Sequence, residues 1–134
     1  MVSKTINPNI GSYRAINTDH DVSGAGQDVA IVKESEAQDR IWVLDAIQYS
    51  YKQDDSPASG LLAAPVSGGL TIKVGNDTKV DIDIFNLSDS LNLYIPGQTD
   101  KPTTVTLKSG GSGVVGKLNV SGTWSRRNKT NVKV

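Results

Sequence analysis

The sequence predicts an all-β fold: a single-domain β-sandwich of the jelly-roll kind, about eight antiparallel strands behind an extended N-terminal arm. Three observations carry this. Short runs rich in β-branched and aromatic residues alternate apolar and polar side chains with period two. Clusters of turn-forming residues separate them: DSPASG, PVSGG, GND, PGQTDKP and SGGSG. No segment carries an apolar stripe at helical spacing. At 134 residues the chain is long enough to bury one core without staples. The division expected is an arm over 1–26 and a sandwich over 27–134.

The arm is poor in core residues, and Asn7-Pro8-Asn9 and Ser23-Gly24-Ala25-Gly26 read as turns or linkers. QDVAIVKE (27–34) is the first strand. RIWVLDAIQYSYK (40–52) is apolar in both phases at first, then alternates Ile47, Tyr49 and Tyr51 against Gln48, Ser50 and Lys52. That pattern suits a strand leaving a two-sided core for a half-exposed position. LTIKV (70–74) and KVDIDIF (79–85) flank GNDT and read as a hairpin with a four-residue linker. In the second of these, Val80, Ile82 and Ile84 face the core and the aspartates face water. SLNLYIP (90–96) stops at Pro96-Gly97. TTVTLK (103–108) turns Val105 and Leu107 inward. KLNVSGTW (117–124) turns Leu118, Val120, Gly122 and Trp124 inward, and TNVKV (130–134) is a last short strand.

One stretch invites a chemical reading. From Gly111, GSGVVGKL matches the phosphate-loop pattern G-x-x-x-x-G-K-[ST] at every position but the last, where Leu118 stands. A phosphate loop works because a helix leaves it and aims backbone N–H groups at the ligand. Here the following residues have period two, so the stretch is expected to be a hairpin tip between VTLK and KLNV.

The remaining inventory is sparse in chemistry. There is no cysteine, hence no disulfide framework or thiolate site, which fits folding in a reducing cytoplasm. The single histidine, His20, excludes a multi-histidine metal centre and is expected in a solvated loop. Asp81 and Asp83 form a D-x-D pair that projects from one strand face. With Asp77 and Asn76 from the turn they are the only calcium candidates, and no metal, cofactor or catalytic residue is expected. No apolar run reaches the roughly 18 residues that span a bilayer, and the N-terminus lacks the apolar core of a signal peptide. Residues 1–100 hold all 14 acidic groups and 7 basic ones, a net −7. Residues 101–134 hold 7 basic groups and no acidic one. This split suggests a basic patch that meets an acidic protein surface, often another subunit, rather than nucleic acid.

Residues 28–124 run through IWVLDAIQYSY, a loop DSPASG, a GGLTIKVG…VDIDI hairpin, an Ile-Pro-Gly stop and VTLKSGGSGVVGKLNVSGTW. In this pattern the chain resembles small virion proteins of tailed bacteriophages, in which a short β-sandwich follows an extended N-terminal stretch. The resemblance implies a capsid decoration, or cement, protein: no enzyme, located on the virion surface, a dimer or trimer, binding the outside of the head and bridging major capsid protein subunits. The other reading is a receptor- or glycan-binding module of a fibre or tail, motivated by Tyr49 and Tyr51 and by the oxygen-bearing Asn76, Asp77, Asp81 and Asp83. Partner contacts are expected at Tyr13, Arg14, Tyr49, Tyr51, Arg126, Arg127 and Lys129, with no nucleic acid or membrane involved.

Overall fold

The computed structural model describes residues 14–34, 40–53 and 67–126, with backbone alone at 14, 15 and 126. These residues form eight strands and no helix. They are β1 (Arg14–Val22), β2 (Val29–Lys33), β3 (Arg40–Gln53), β4 (Gly68–Val74), β5 (Asp77–Ile84), β6 (Ser88–Pro96), β7 (Thr103–Lys108) and β8 (Val114–Arg126). Two four-stranded antiparallel sheets result, ordered β1-β8-β3-β6 and β2-β7-β4-β5. The chain passes from one sheet to the other at every connection except β4–β5. The inward side chains of both sheets share one core, as in a β-sandwich, with Leu44, Ile47, Leu70, Ile72 and Leu118 fully buried.

The long strand β3 explains its own two-phase apolarity. Trp42 and Leu44 face inward before Asp45; Ile47, Tyr49 and Tyr51 face inward after it. Pairing to β8 runs Leu44 to Gly122 and then Ala46 to Ser121, so Asp45 is an extra residue, a β-bulge. One added residue inverts which face each later side chain takes. Asp45 is fixed there by the Thr123 hydroxyl, which donates to its Oδ2 at 2.6 Å.

Several expectations change. The hairpin 70–84 exists, but its loop is two residues: Val74 pairs Asp77 around Gly75-Asn76. Gly75, at φ +62°, takes the left-handed position that a II′-type turn requires first. Ile84 is buried, yet Ile82, although opposite the buried Leu70, is 44% exposed, because β5 is a sheet edge. Residues 14–22, expected within an arm, instead form β1, hydrogen-bonded to β8 from Arg14–Ser125 to Val22–Lys117. The inward positions of β1 are polar, which is why its period carries no hydrophobic signal. Asp19 accepts from Lys33 of β2 at 2.5 Å, and the Lys33 ammonium lies 5.9 Å from the Trp42 ring centre. This pair closes one open side of the sandwich.

The glycine-rich stretch is not a hairpin tip. β7 and β8 belong to different sheets, so residues 109–113 carry the chain across the sandwich, with Gly111 and Gly113 at positive φ. Lys117 lies within β8, which continues as strand to Arg126, so no helix leaves the loop and the phosphate-loop geometry is not formed. TNVKV (130–134) lies outside the described residues.

Close approach sets two glycines. A Cβ on Gly122 would fall inside the Trp42 indole, and one on Gly110 would sit 2.8 Å from Tyr51 Cδ1 and 2.9 Å from Val114 Cγ1. Gly24 has only Gln27 Cγ, at 3.5 Å. Gly122→Ala and Gly110→Ala are therefore expected to cost about 1–3 kcal/mol each by overpacking. Gly24→Ala should stay within about 0.5 kcal/mol of the parent. Urea denaturation of the three variants checks the order.

Candidate functional site

Two of the three aromatic residues expected at a contact surface, Tyr49 and Tyr51, are in the core. Tyr49 is 6% and Tyr51 4% exposed. Their rings are 6.1 Å apart, and both hydroxyls are committed. Tyr51 reaches across the sandwich: its hydroxyl donates to Lys108 O of β7 at 2.6 Å and accepts from Gly69 N of β4 at 3.4 Å. Tyr49 donates to Asn86 Oδ1 in the β5–β6 connection at 2.6 Å. What they contact is the rest of this chain. Trp42 and Trp124 are also buried, and Tyr94, at 75%, is exposed.

The acidic candidates do not converge. Among the described residues no three His, Asp, Glu or Cys side chains come together as a metal-holding group. Asp77 pairs with Lys79 at 2.8 Å, which holds its carboxyl below the usual range, while Asp81 pairs with Lys108 at 3.5 Å and accepts from Thr71 at 3.4 Å. Asp83 is exposed on the same edge strand. Among the described residues, the basic groups after residue 100 do not gather on one surface. Lys101 packs on Gly75 of the β4–β5 hairpin, Lys108 lies on the outer face of the β2-β7-β4-β5 sheet, and Lys117 lies on the outer face of the other sheet.

The candidate site is that second face. Residues paired across an antiparallel sheet share a face, so the register writes it out in rows. Ile16, Thr123, Val43 and Pro96 make one row. Thr18, Ser121, Ala46 and Asn92 make the next, then His20, Asn119, Gln48 and Ser90, then Val22, Lys117, Ser50 and Ser88. Four clefts lie here. One of about 260 Å³, lined by Val43, Asp45, Tyr94, Thr123 and Ser125, sits at the end where the bulge is. Three more, of about 290, 290 and 370 Å³, follow along the rows of Thr18, His20 and Val22. His20 is exposed on a strand here, not in a loop.

Three strands begin or finish with arginine at the first end. Arg14 is in register with the outer face, and Arg40 and Arg126 are in register with the inward positions of Trp42 and Trp124. Arg14 opens β1 opposite Ser125, and Arg40, opening β3, lies opposite Arg126 on β8. With strands about 4.8 Å apart, three arginines distant in sequence start within roughly 10 Å of one another. Exposed Ile16 and Tyr94 lie beside them. Sequence reasoning missed Arg40 and Ile16, and only the strand order reveals the grouping. Tyr13, Arg127 and Lys129 lie outside the described residues.

No protein-family model matches the chain, and no curated protein sequence matches it. Among solved structures, the Yersinia pseudotuberculosis-derived mitogen is 11% identical, covering 81% of this chain and 86% of its own, at a TM-score of 0.42. The Bacillus endospore appendages, described as disulfide-linked pili, are 12% identical over 92% and 99%, at 0.34. Both are all-β.

Tyr51 gives the site's scaffold a pH signature. Burial, with smaller contributions from Tyr49 and Asp28, pushes its hydroxyl up to about 12 from 10.0, against the lowering effect of the Gly69 amide. The folded state thus holds the proton that the unfolded chain releases near pH 10. The stabilisation is complete below that pH and is lost as pH rises toward 12, about 2–3 kcal/mol in total. Tyr51→Phe should cost about 1–2 kcal/mol at neutral pH and flatten that alkaline decline. Denaturant titrations of both proteins between pH 8 and about 12 measure it.

Proposed function

We propose that the protein is a virion structural protein of the capsid decoration type, a jelly roll that docks on the outside of a phage head. The strand orders β1-β8-β3-β6 and β2-β7-β4-β5, with a chain that changes sheet at six of its seven connections, support the jelly-roll reading. One observation carries the docking role: Arg14, Arg40 and Arg126 brought to one end of the β1-β8-β3-β6 sheet beside exposed Ile16 and Tyr94. Arginine and tyrosine around an apolar centre are what protein interfaces enrich. The acidic surface of a major capsid protein is the complementary partner, and oligomers of two or three subunits gain by engaging neighbouring sites together.

Purified protein mixed with heads assembled without it should bind at a fixed ratio per capsid subunit, seen by co-sedimentation and as ordered density in electron micrographs. Arg14→Glu combined with Arg126→Glu should weaken binding at least about tenfold, equivalent to about 1.4 kcal/mol. The melting temperature should be unchanged. Heads that take up no stoichiometric protein overturn the proposal.

A further inference from the structure

We propose that the other end of this face binds a carboxylate-bearing saccharide in a groove centred on Lys117. The proposal does not depend on where the protein sits in a particle. Three of the clefts are continuous: the 370 Å³ cleft shares Ser50 and Lys117 with its neighbour, which shares Gln48, Ser90 and Asn119 with the next. The groove runs along β8 and β3 and its nearer end, at Ser121, lies roughly 13–17 Å from the arginine end, four to five residues at about 3.3 Å each along β8.

Its lining has a specific chemistry. Among the described residues, the side chains of Gln48, Ser50, Ser88, Ser90, Asn119 and Lys117 make no hydrogen bond or ion pair. At the far end of the groove Thr18 and Ser121 bond each other at 3.0 Å, and on the outer face of the opposite sheet Thr71 and Lys108 both bond Asp81. Hydroxyl and amide side chains both donate and accept, as the hydroxyls of a sugar do. A peptide, by contrast, has its backbone groups satisfied at a sheet edge rather than on a sheet face. At one end, Val22 and Val115 supply an apolar floor for the C–H face of a pyranose ring, with Lys52 and Lys117 around it.

Charge fixes the orientation. Lys117 stands between the neutral rows and the valine floor, and Lys52 reinforces it from β3. The one carboxylate lining the groove, that of Asp89, is turned to the backbone N–H of Ser90 at 2.8 Å and to Asn86. A ligand carboxylate therefore sits at the Lys117–Lys52 end, and the ligand hydroxyls lie over Ser50, Gln48 and Asn119. Charge-assisted hydrogen bonds from the ammonium groups then favour acidic over neutral sugars.

The test is a heteronuclear NMR titration of the full chain with sialyllactose, with a galacturonate trisaccharide, and with lactose and inorganic phosphate as controls. At least one acidic saccharide should shift the amide resonances of Gln48, Ser50, Lys117 and Asn119. It should bind about tenfold or more tighter than lactose or phosphate. Lys117→Gln should remove about that tenfold preference without changing the melting temperature. Arg14→Glu with Arg126→Glu should leave the shifts intact, so each proposal fails on its own. No shift with either acid, equal binding of lactose or phosphate, or an unaffected Lys117→Gln variant overturns the saccharide site.

Discussion

Within the core, one side chain crosses between the two sheets and bonds the backbone on the far side. Tyr51 leaves β3 and places its hydroxyl on the backbone of both β7 and β4, at Lys108 O and Gly69 N. Its ring needs room, and the chain provides it with Gly68 and Gly110, each of which would crowd the tyrosine if it carried a Cβ. Dispersion and burial supply most of the energy of a sandwich core, but they are non-directional. The hydroxyl adds direction: it sets the spacing and offset of the sheets where β3 ends. The neighbouring backbone bond from Tyr51 N to Leu87 O at 2.8 Å extends the same anchor to the β5–β6 connection.

Much of the fold was legible in the sequence, for a physical reason. Where a strand has one wet face, alternation records which face is buried, and β7 and the inner half of β8 read correctly from Val105, Leu107, Leu118 and Val120. The signal failed where burial and polarity part company. β1 puts Asn17 and Asp19 inward at a sheet edge, so it carries no apolar period and looked like an arm. The glycines of 110–116 were read for their conformational freedom, as a tight reversal. A Cβ on Gly116 would crowd Leu107, and Gly110 is instead there for lack of a side chain, because Tyr51 occupies the volume. Such a demand comes from a residue some 60 positions away and leaves no local trace.

The candidate site was less legible. Tyr49 and Tyr51 were chosen because polar residues alternate with them, and those polar residues, Gln48 and Ser50, turned out to line the surface. The choice picked the right strand and the wrong face. The rows of the outer sheet join residues from four strands, and no spacing along the chain encodes which strands become neighbours. The same holds for the arginine end, where β1 and β3 begin and β8 finishes. Antiparallel pairing of chain segments more than 80 residues apart makes the grouping.

The extra residue at Asp45 has an evolutionary corollary. It sets the parity of everything C-terminal to it in β3, Tyr51 included. Loss of Asp45 alone would leave Ala46 next to Leu44, as their partners Ser121 and Gly122 already are, and Tyr51 would keep its inward place. Loss or gain of one residue further along β3 would instead turn the latch tyrosine to solvent and bring Gln48, Ser50 and Lys52 inward. Single-residue length changes among descendants of the chain are thus confined to the irregularity itself. The hydrogen bond from Thr123 to Asp45 ties that arithmetic to β8, so the two positions should change together over time.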